Sequence, residues 1–335
     1  MYTLVTVVFE KEYDLLLVQA RSLRIFCPAD IFKEIIILDN SKRYPLSQNK
    51  KNQLIFEYGH LAHKVRFIRH SDVAEVDNRT VKGWVTQQIL KLKIALLVET
   101  EKYLVLDAKT HLVNMLSLSF LESSCGRANI SLRGYVDHPL RPSLESVLTY
   151  FNLDSKYIEN FTETVTPYVF YKDVVCNLIS YIENVEKKSL EKIFSERDFT
   201  EFFLYYAYII AVEKSPDKLY KCHQLFCPMV WKKTCDVVGC KAAITDATTK
   251  QLPFFSLHRS AVEYMDADSR LLIAKFWKAL GLFSSEKNAD RFLINYKLKL
   301  KSYRKIDYLE KLPKRIIRKI KKISVLIFNF NRKTI

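Results

Sequence analysis

Glycine is scarce, with 6 residues in a chain of 335. Loops that wrap a phosphate need glycine where the backbone must approach it closely. Neither GxGxxG nor GxxxxGK[ST] occurs, which sets aside a dinucleotide-binding dehydrogenase and a P-loop NTPase. No uninterrupted apolar stretch is long enough to span a bilayer. No basic n-region precedes the first strand-like run, so no cleavable signal peptide is expected. The cysteines number 7; an odd count without an export signal points to reduced thiols and a cytoplasmic chain, soluble or peripheral. Internal repeats and low-complexity linkers are also missing.

Acidic residues are outnumbered. Lys and Arg total 53 against 37 Asp and Glu, a formal net charge of +16. That surplus implies an anionic partner: nucleic acid, an acidic membrane or a phosphorylated substrate. Much of it collects near the C-terminus, which favours a local anchor. Hydrophobic residues make up 49% and aromatics 13%, enough for a substantial globular core.

The N-terminal part alternates strand and helix. Thr3 to Phe9 is an apolar β-rich run. Asp14 to Phe26 has helical spacing, with Leu16, Leu17, Ala20, Leu23 and Phe26 largely on one side. Glu34 to Leu38 is a short buried strand stopped by Asp39-Asn40-Ser41. Val65 to Ile68 reads as a third strand, Thr86 to Glu99 as a helix and Tyr103 to Leu106 as a strand ending at Asp107. This order predicts an α/β fold with a mainly parallel central sheet flanked by helices. Ligands of such sheets sit outside the carboxyl ends of the strands, which makes Asp39 and Asp107 candidate site residues. Ser143 to Ala211 is expected to be mostly helical, with an extended piece at Thr166 to Tyr171. Ser260 to Leu280 is helical again. Residues 1–285 are read as one domain and 286–335 as a basic amphipathic helical extension whose last helix opens at Pro313.

Several short stretches carry possible chemistry. In Tyr103-Leu-Val-Leu-Asp-Ala-Lys-Thr-His111, Asp107 either ends a strand in a polar turn or holds a divalent metal on a phosphorylated ligand; Lys109 can neutralise a phosphate directly. In Gly83 to Leu92, Trp84 can stack on a ring and Gln87 and Gln88 can bond a base or sugar; the alternative is a plain helix start with Trp84 in the core. Glu201 opens a very apolar helix, Phe202 to Tyr208. It is either a general base with a raised pKa or a first-turn glutamate complementing the helix dipole, with Thr200 as cap. In Phe254 to Ser260, His258 can bind a metal and Arg259 a diphosphate. Cys222, Cys227, Cys235 and Cys240, with His223, have spacings at the edge of those in zinc sites. The apolar run between them, Leu225, Phe226, Val230 and Trp231, reads as core, and buried free thiols are the default. From Leu312 to Phe328, Ile316, Ile317, Ile320 and Ile323 share one helix face amid Lys and Arg, and no acidic residue follows Glu310. This stretch fits an anchor on anionic lipid; a helix docked on the protein or a nucleic-acid arm are the other readings.

The ordered set Gly83 to Leu92, Tyr103 to His111, Phe199 to Tyr205 and Phe255 to Arg259 resembles a bacterial glycosyltransferase family, otherwise of unknown function, whose members lie in capsule and lipopolysaccharide clusters. The resemblance covers roughly Thr3 to Leu280. It implies a GT-A-like fold and a nucleotide-sugar donor held near Val8, Phe9, Asp39, Trp84, Gln87, Gln88, Asp107, Lys109 and Arg259. It also implies Glu201 as the base and Asp107 with His258 as ligands of a divalent Mn or Mg ion. The family pattern has an acidic residue where this chain has Lys109. Two readings follow: a metal-independent enzyme in which Lys109 and Arg259 balance the diphosphate, or a weak metal site. The implied acceptor is a glycan or glycolipid at the inner-membrane surface, reached through the C-terminal helix from the cytoplasmic side, with no nucleic acid expected. A nucleotidyl- or phosphosugar-transferase on the same sheet and a basic nucleic-acid-binding protein are the alternatives.

Overall fold

The computed structural model describes residues 1–41, 43–75, 83–214, 216–223 and 227–311. The expected anchor, Leu312 to Phe328, lies outside the described residues, as do Pro313, Leu225 and Phe226.

The expected α/β arrangement, with a mainly parallel central sheet flanked by helices, is present. Strand β1 (Tyr2–Val8) is followed by helix α1 (Tyr13–Phe26), strand β2 (Phe32–Asp39), helix α2 (Gln48–Tyr58), strand β3 (Val65–Arg69), helix α3 (Gly83–Lys93) and strand β4 (Lys102–Asp107). After the short strand β5 (Thr110–Leu112), strand β6 (Tyr168–Tyr171) returns to the main sheet. The order is β3-β2-β1-β4-β6, with the first four strands parallel and β6 antiparallel to β4. All seven residues of β1 are buried. A central strand covered on both faces reads as a continuous apolar run because neither face meets water. Its two threonine hydroxyls are satisfied inside: Thr3 Oγ1 accepts from Thr100 Oγ1 at 2.9 Å and Thr6 Oγ1 donates to Gln19 Oε1 at 2.8 Å. Helix α2 was not legible in advance, because only Leu54, Glu57 and Tyr58 of its polar sequence are buried.

A second core adjoins the first. Strand β5 pairs antiparallel with a later strand, whose other edge meets Met229–Val230. Helix α1 lies between the two cores: Leu16, Ala20 and Leu23 face the main sheet, while Leu15 and Val18 join the second cluster. The expected helix at Ser260 to Leu280 is two helices, Arg259–Tyr264 and Ala267–Ala279. The chain's last described helix, Glu286–Lys311, buries Ala289, Leu293, Tyr296 and Leu300 in the second core. Those residues fall at i, i+4, i+7 and i+11, one helix face. The segment expected to extend beyond the domain from residue 286 is therefore docked on the body over its first four turns.

Candidate active site

In the sheet order, the chain moves outward from β1 to β2 and β3, then crosses back to β4 on the other side of β1. At such a reversal the loops leaving the two central strands part, and a crevice opens at their carboxyl ends. Here Val7 is level with Asp107, so the loop after β1 and the turn after β4 flank one opening. A cleft of about 560 Å³ lies there.

Its floor is a group of buried charges. Asp107 ends β4. Lys91, on α3, is only 6% exposed at its side chain; its ammonium donates to Asp107 Oδ1 at 3.1 Å and to Glu201 Oε1 at 3.0 Å. Lys109, two residues after Asp107, pairs with Asp107 Oδ2. Gln87 Nε2 donates to Asp107 Oδ1 at 3.4 Å, and Gln88 Oε1 accepts from the backbone N–H of Glu201 at 3.2 Å. Glu201 begins the helix Glu201–Tyr208, which Thr200 caps by accepting from Phe203 N–H at 3.3 Å. All eight residues of that helix are buried. Two carboxylates and two ammonium groups thus neutralise one another away from water. Burial alone would raise the Asp107 pKa, but Lys109 and Lys91 outweigh it and hold the carboxyl well below the usual range. Glu201 is shifted upward by burial, which Lys91 only partly offsets. Burial disfavours the Lys91 ammonium, and the two carboxylates more than compensate.

One wall comes from the second core's sheet. Backbone bonds from Leu257 N–H to the Lys109 carbonyl (3.0 Å) and from His258 N–H to the Val230 carbonyl (3.1 Å) bring three separate segments together. The Trp231 ring lies 4.8 Å from the His258 ring, and the Lys109 ammonium 5.8 Å from the Trp231 ring centre. Arg259 pairs with Glu12, and its guanidinium sits 5.1 Å over the Phe9 ring. His258 Nδ1 accepts from Ser260 N–H at 3.2 Å, capping the helix Arg259–Tyr264. Burial, together with the neighbouring Arg259 and Lys109 charges, pushes the His258 pKa down to about 3. The ring is therefore neutral at ordinary pH. With Nδ1 accepting, its proton is on Nε2.

The Glu286–Lys311 helix reaches the cleft through Asp307. Asp307 pairs with Lys11 and lies 3.7 Å from Arg43, Tyr296 OH donates to the Lys11 carbonyl at 2.8 Å, and Tyr303 OH to the Glu10 carbonyl at 3.3 Å. These contacts hold the loop between β1 and α1 in place.

Of the residues singled out in the sequence, Phe9, Trp84, Gln87, Gln88, Asp107, Lys109, Glu201, His258 and Arg259 line this one cleft. Trp84 is 53% exposed, not packed in the core. Val8 and Asp39 do not line it. Val8 is wholly buried, and Asp39 closes the loop after β2 by accepting from Leu46 N–H (2.7 Å), Ser41 N–H (3.0 Å) and Tyr13 OH (3.2 Å). Its neighbour Asn40 reaches the cleft instead. Lys91, Glu12, Arg43, Trp231 and Asp307 line the cleft without having been singled out. Trp231, read as core, is 43% exposed, whereas Val230 beside it is buried as expected.

The donor set does not suit a divalent ion. Both Asp107 oxygens already face ammonium groups, and the His258 nitrogen that lacks a proton is engaged by Ser260. Among the described residues no three His, Cys, Asp or Glu side chains gather as a metal cluster. That also covers Cys222, His223, Cys227, Cys235 and Cys240. All seven cysteines are free thiols, although only Cys27 and Cys240 are fully buried. No helix among the described residues is long and apolar enough to cross a membrane.

Solved structures similar to the chain include the galactosyltransferase LgtC in complex with donor and acceptor sugar analogues, at TM-score 0.49 and 12% identity over 84% of this chain and 96% of that one. The bifunctional glycosyltransferase WbbM follows at TM-score 0.46 and 11% identity, over 76% of this chain and 45% of WbbM. The glycosyltransferase GlyE of Streptococcus pneumoniae is similar at TM-score 0.39 and 11% identity, over 89% of this chain and 63% of GlyE. No curated protein matches the sequence. The family model that matches residues 16–249 covers more than half of the chain, which therefore belongs to the family of unknown function DUF6492.

Proposed function

We propose that the protein is a glycosyltransferase that moves a sugar from a nucleotide-sugar donor to a glycan or glycolipid acceptor. The observation that carries this reading is the cleft at the strand-order reversal: a neutralised carboxylate–ammonium floor, cations on one wall, and half-exposed tryptophans, Trp84 and Trp231, on its sides. Tryptophan faces suit sugar rings and bases. Lys109 and Arg259 can meet the negative charge that grows on a departing diphosphate. Glu201, its pKa raised by burial, is the group we assign to accept the acceptor hydroxyl proton. Lys91 orients it, and Gln87 and Gln88 contribute to the donor subsite. The acceptor is inferred to belong to bacterial surface-polysaccharide synthesis. The basic, apolar-striped sequence of residues 312–328 supports a peripheral station on an anionic inner membrane.

The test is direct. Purified protein is incubated with a panel of nucleotide sugars, and released nucleoside diphosphate is measured with and without glycolipid acceptors. Turnover of one donor is expected, falling at least about 100-fold in Glu201→Gln. Release of a monophosphate or pyrophosphate instead would favour a nucleotidyl- or phosphosugar-transferase. Absence of both turnover and donor binding would sink the reading.

A further inference from the structure

Resting on the glycosyltransferase reading, we propose that this site binds the donor's diphosphate without a divalent metal, using the Lys109 ammonium, the His258 Nε2–H and the Arg259 guanidinium as a fixed set of donors. Three observations converge. First, both Asp107 oxygens already face cations: Oδ1 faces Lys91 at 3.1 Å, with Gln87 at 3.4 Å, and Oδ2 faces Lys109. A dication entering here would have to sit among two ammonium groups at contact distance, where like charges repel strongly. Second, His258 is turned the wrong way for a ligand. A metal needs the lone pair of a ring nitrogen; Nδ1 is taken by Ser260, whose N–H donates to it at 3.2 Å and whose hydroxyl lies 2.6 Å away, and with Nδ1 accepting the proton falls on Nε2. The same ring is well disposed to donate to a phosphate oxygen. Third, the cations share one wall. The turn carrying Lys109 is bonded by its carbonyl to Leu257 N–H, and the Trp231 ring is near both Lys109 (5.8 Å) and His258 (4.8 Å).

The wall is also made to exchange partners. Among the described residues, Lys109 and Arg259 are each held by one carboxylate, Asp107 and Glu12. A diphosphate offers both of them charge-assisted bonds of the same kind, from several oxygens at once. Asp107 loses little when Lys109 turns toward the ligand, because Lys91 remains on its other oxygen. Lys91 is thus what allows Lys109 to serve as the cation that a metal would otherwise supply.

Binding of UDP, GDP, CDP, ADP and inorganic pyrophosphate to the full chain decides the matter, measured by calorimetry in EDTA and again in manganese. At least one nucleoside diphosphate is expected to bind in EDTA with an affinity within about twofold of that in manganese. Manganese alone, followed by the loss of its free-ion electron paramagnetic resonance signal, is expected not to bind in the micromolar range. Lys109→Met should weaken binding in EDTA by about tenfold or more, and Lys109→Arg should keep it within about threefold. Melting curves without ligand verify that both variants fold; if Lys109→Met does not, the wild-type comparison decides alone. Binding at least about tenfold tighter in manganese, or an unchanged affinity in Lys109→Met, overturns the inference and leaves the glycosyltransferase reading standing. No binding of any probe in either condition overturns both.

Discussion

Lys91→Met replaces a buried ammonium by an apolar group of similar length. Lys91 touches two carboxylates at 3.1 and 3.0 Å. Each contact is worth roughly 5 kcal/mol gross at an effective dielectric constant of about 20. Most of that gain is offset by the cost of burying three charges. What remains is the penalty of leaving Glu201 without its ammonium partner and Asp107 with Lys109 alone. Removing one partner of a buried pair costs about 3–5 kcal/mol, and that is the expected loss of unfolding free energy in urea at pH 8. The penalty should depend on pH. Glu201 is already shifted upward by burial, and without Lys91 its folded-state pKa rises further above the unfolded value. Protonating it relieves the repulsion, so the gap to wild type should shrink as pH falls, by about 1.4 kcal/mol per unit through the window in which Glu201 takes up its proton. Adding Glu201→Gln should recover about 2 kcal/mol at pH 8. A Lys91→Met penalty below about 1 kcal/mol, or a double variant no more stable than Lys91→Met, would refute the account of the floor as a mutually neutralised cluster.

Three further expectations follow from other parts of the molecule. Trp231→Ala should weaken nucleotide-sugar binding by about fivefold, near 1 kcal/mol, with little change in melting temperature because the ring is half exposed; an unchanged affinity would remove Trp231 from the donor wall. His111 is buried, its Nε2 accepts from Trp277 Nε1 at 3.0 Å, and burial lowers its pKa to about 3. Its folded-state pKa is depressed, so the stability it contributes is fully present above the unfolded value of about 6.5 and is lost as pH falls. Between pH 6.5 and 5 the wild type should lose about 2 kcal/mol on this account, and His111→Gln should flatten that slope in urea titrations. Leu104→Ala empties a fully buried position of β4 and should cost about 3 kcal/mol by the same measurement.

The sheet was legible because its strands are short apolar runs, each stopped by a polar turn, and that pattern follows from burial on both faces. Asp39 and Asp107 looked equivalent for the same reason: each ends a buried strand. What separates them is strand order, which no local pattern carries. Asp107 stands at the reversal between β1 and β4, whereas Asp39 is one strand further out, where Ser41, Leu46 and Tyr13 take up its oxygens. Lys91 left a faint signal, a lysine on an apolar helix one turn beyond Gln87 and Gln88, but its two carboxylate partners are 16 and 110 residues away in sequence. Trp231 was misread because it adjoins the buried Val230 and sits in a run of apolar residues and cysteines. Its exposure is set by the wall it shares with His258. The contacts of Lys11, Glu10 and Arg43 with the last helix had no sequence signal at all, since they join residues more than 260 positions apart.

That last set of contacts gives the site a schedule. The loop after the first strand meets the Glu286–Lys311 helix, and Asp307 itself lines the cleft. A ribosome makes Phe9 and Glu12 nearly 300 residues before Asp307, so the nascent chain has the strands of its sheet well before it has every residue that lines the cleft. The cleft is complete only once the Glu286–Lys311 helix has been made and docked.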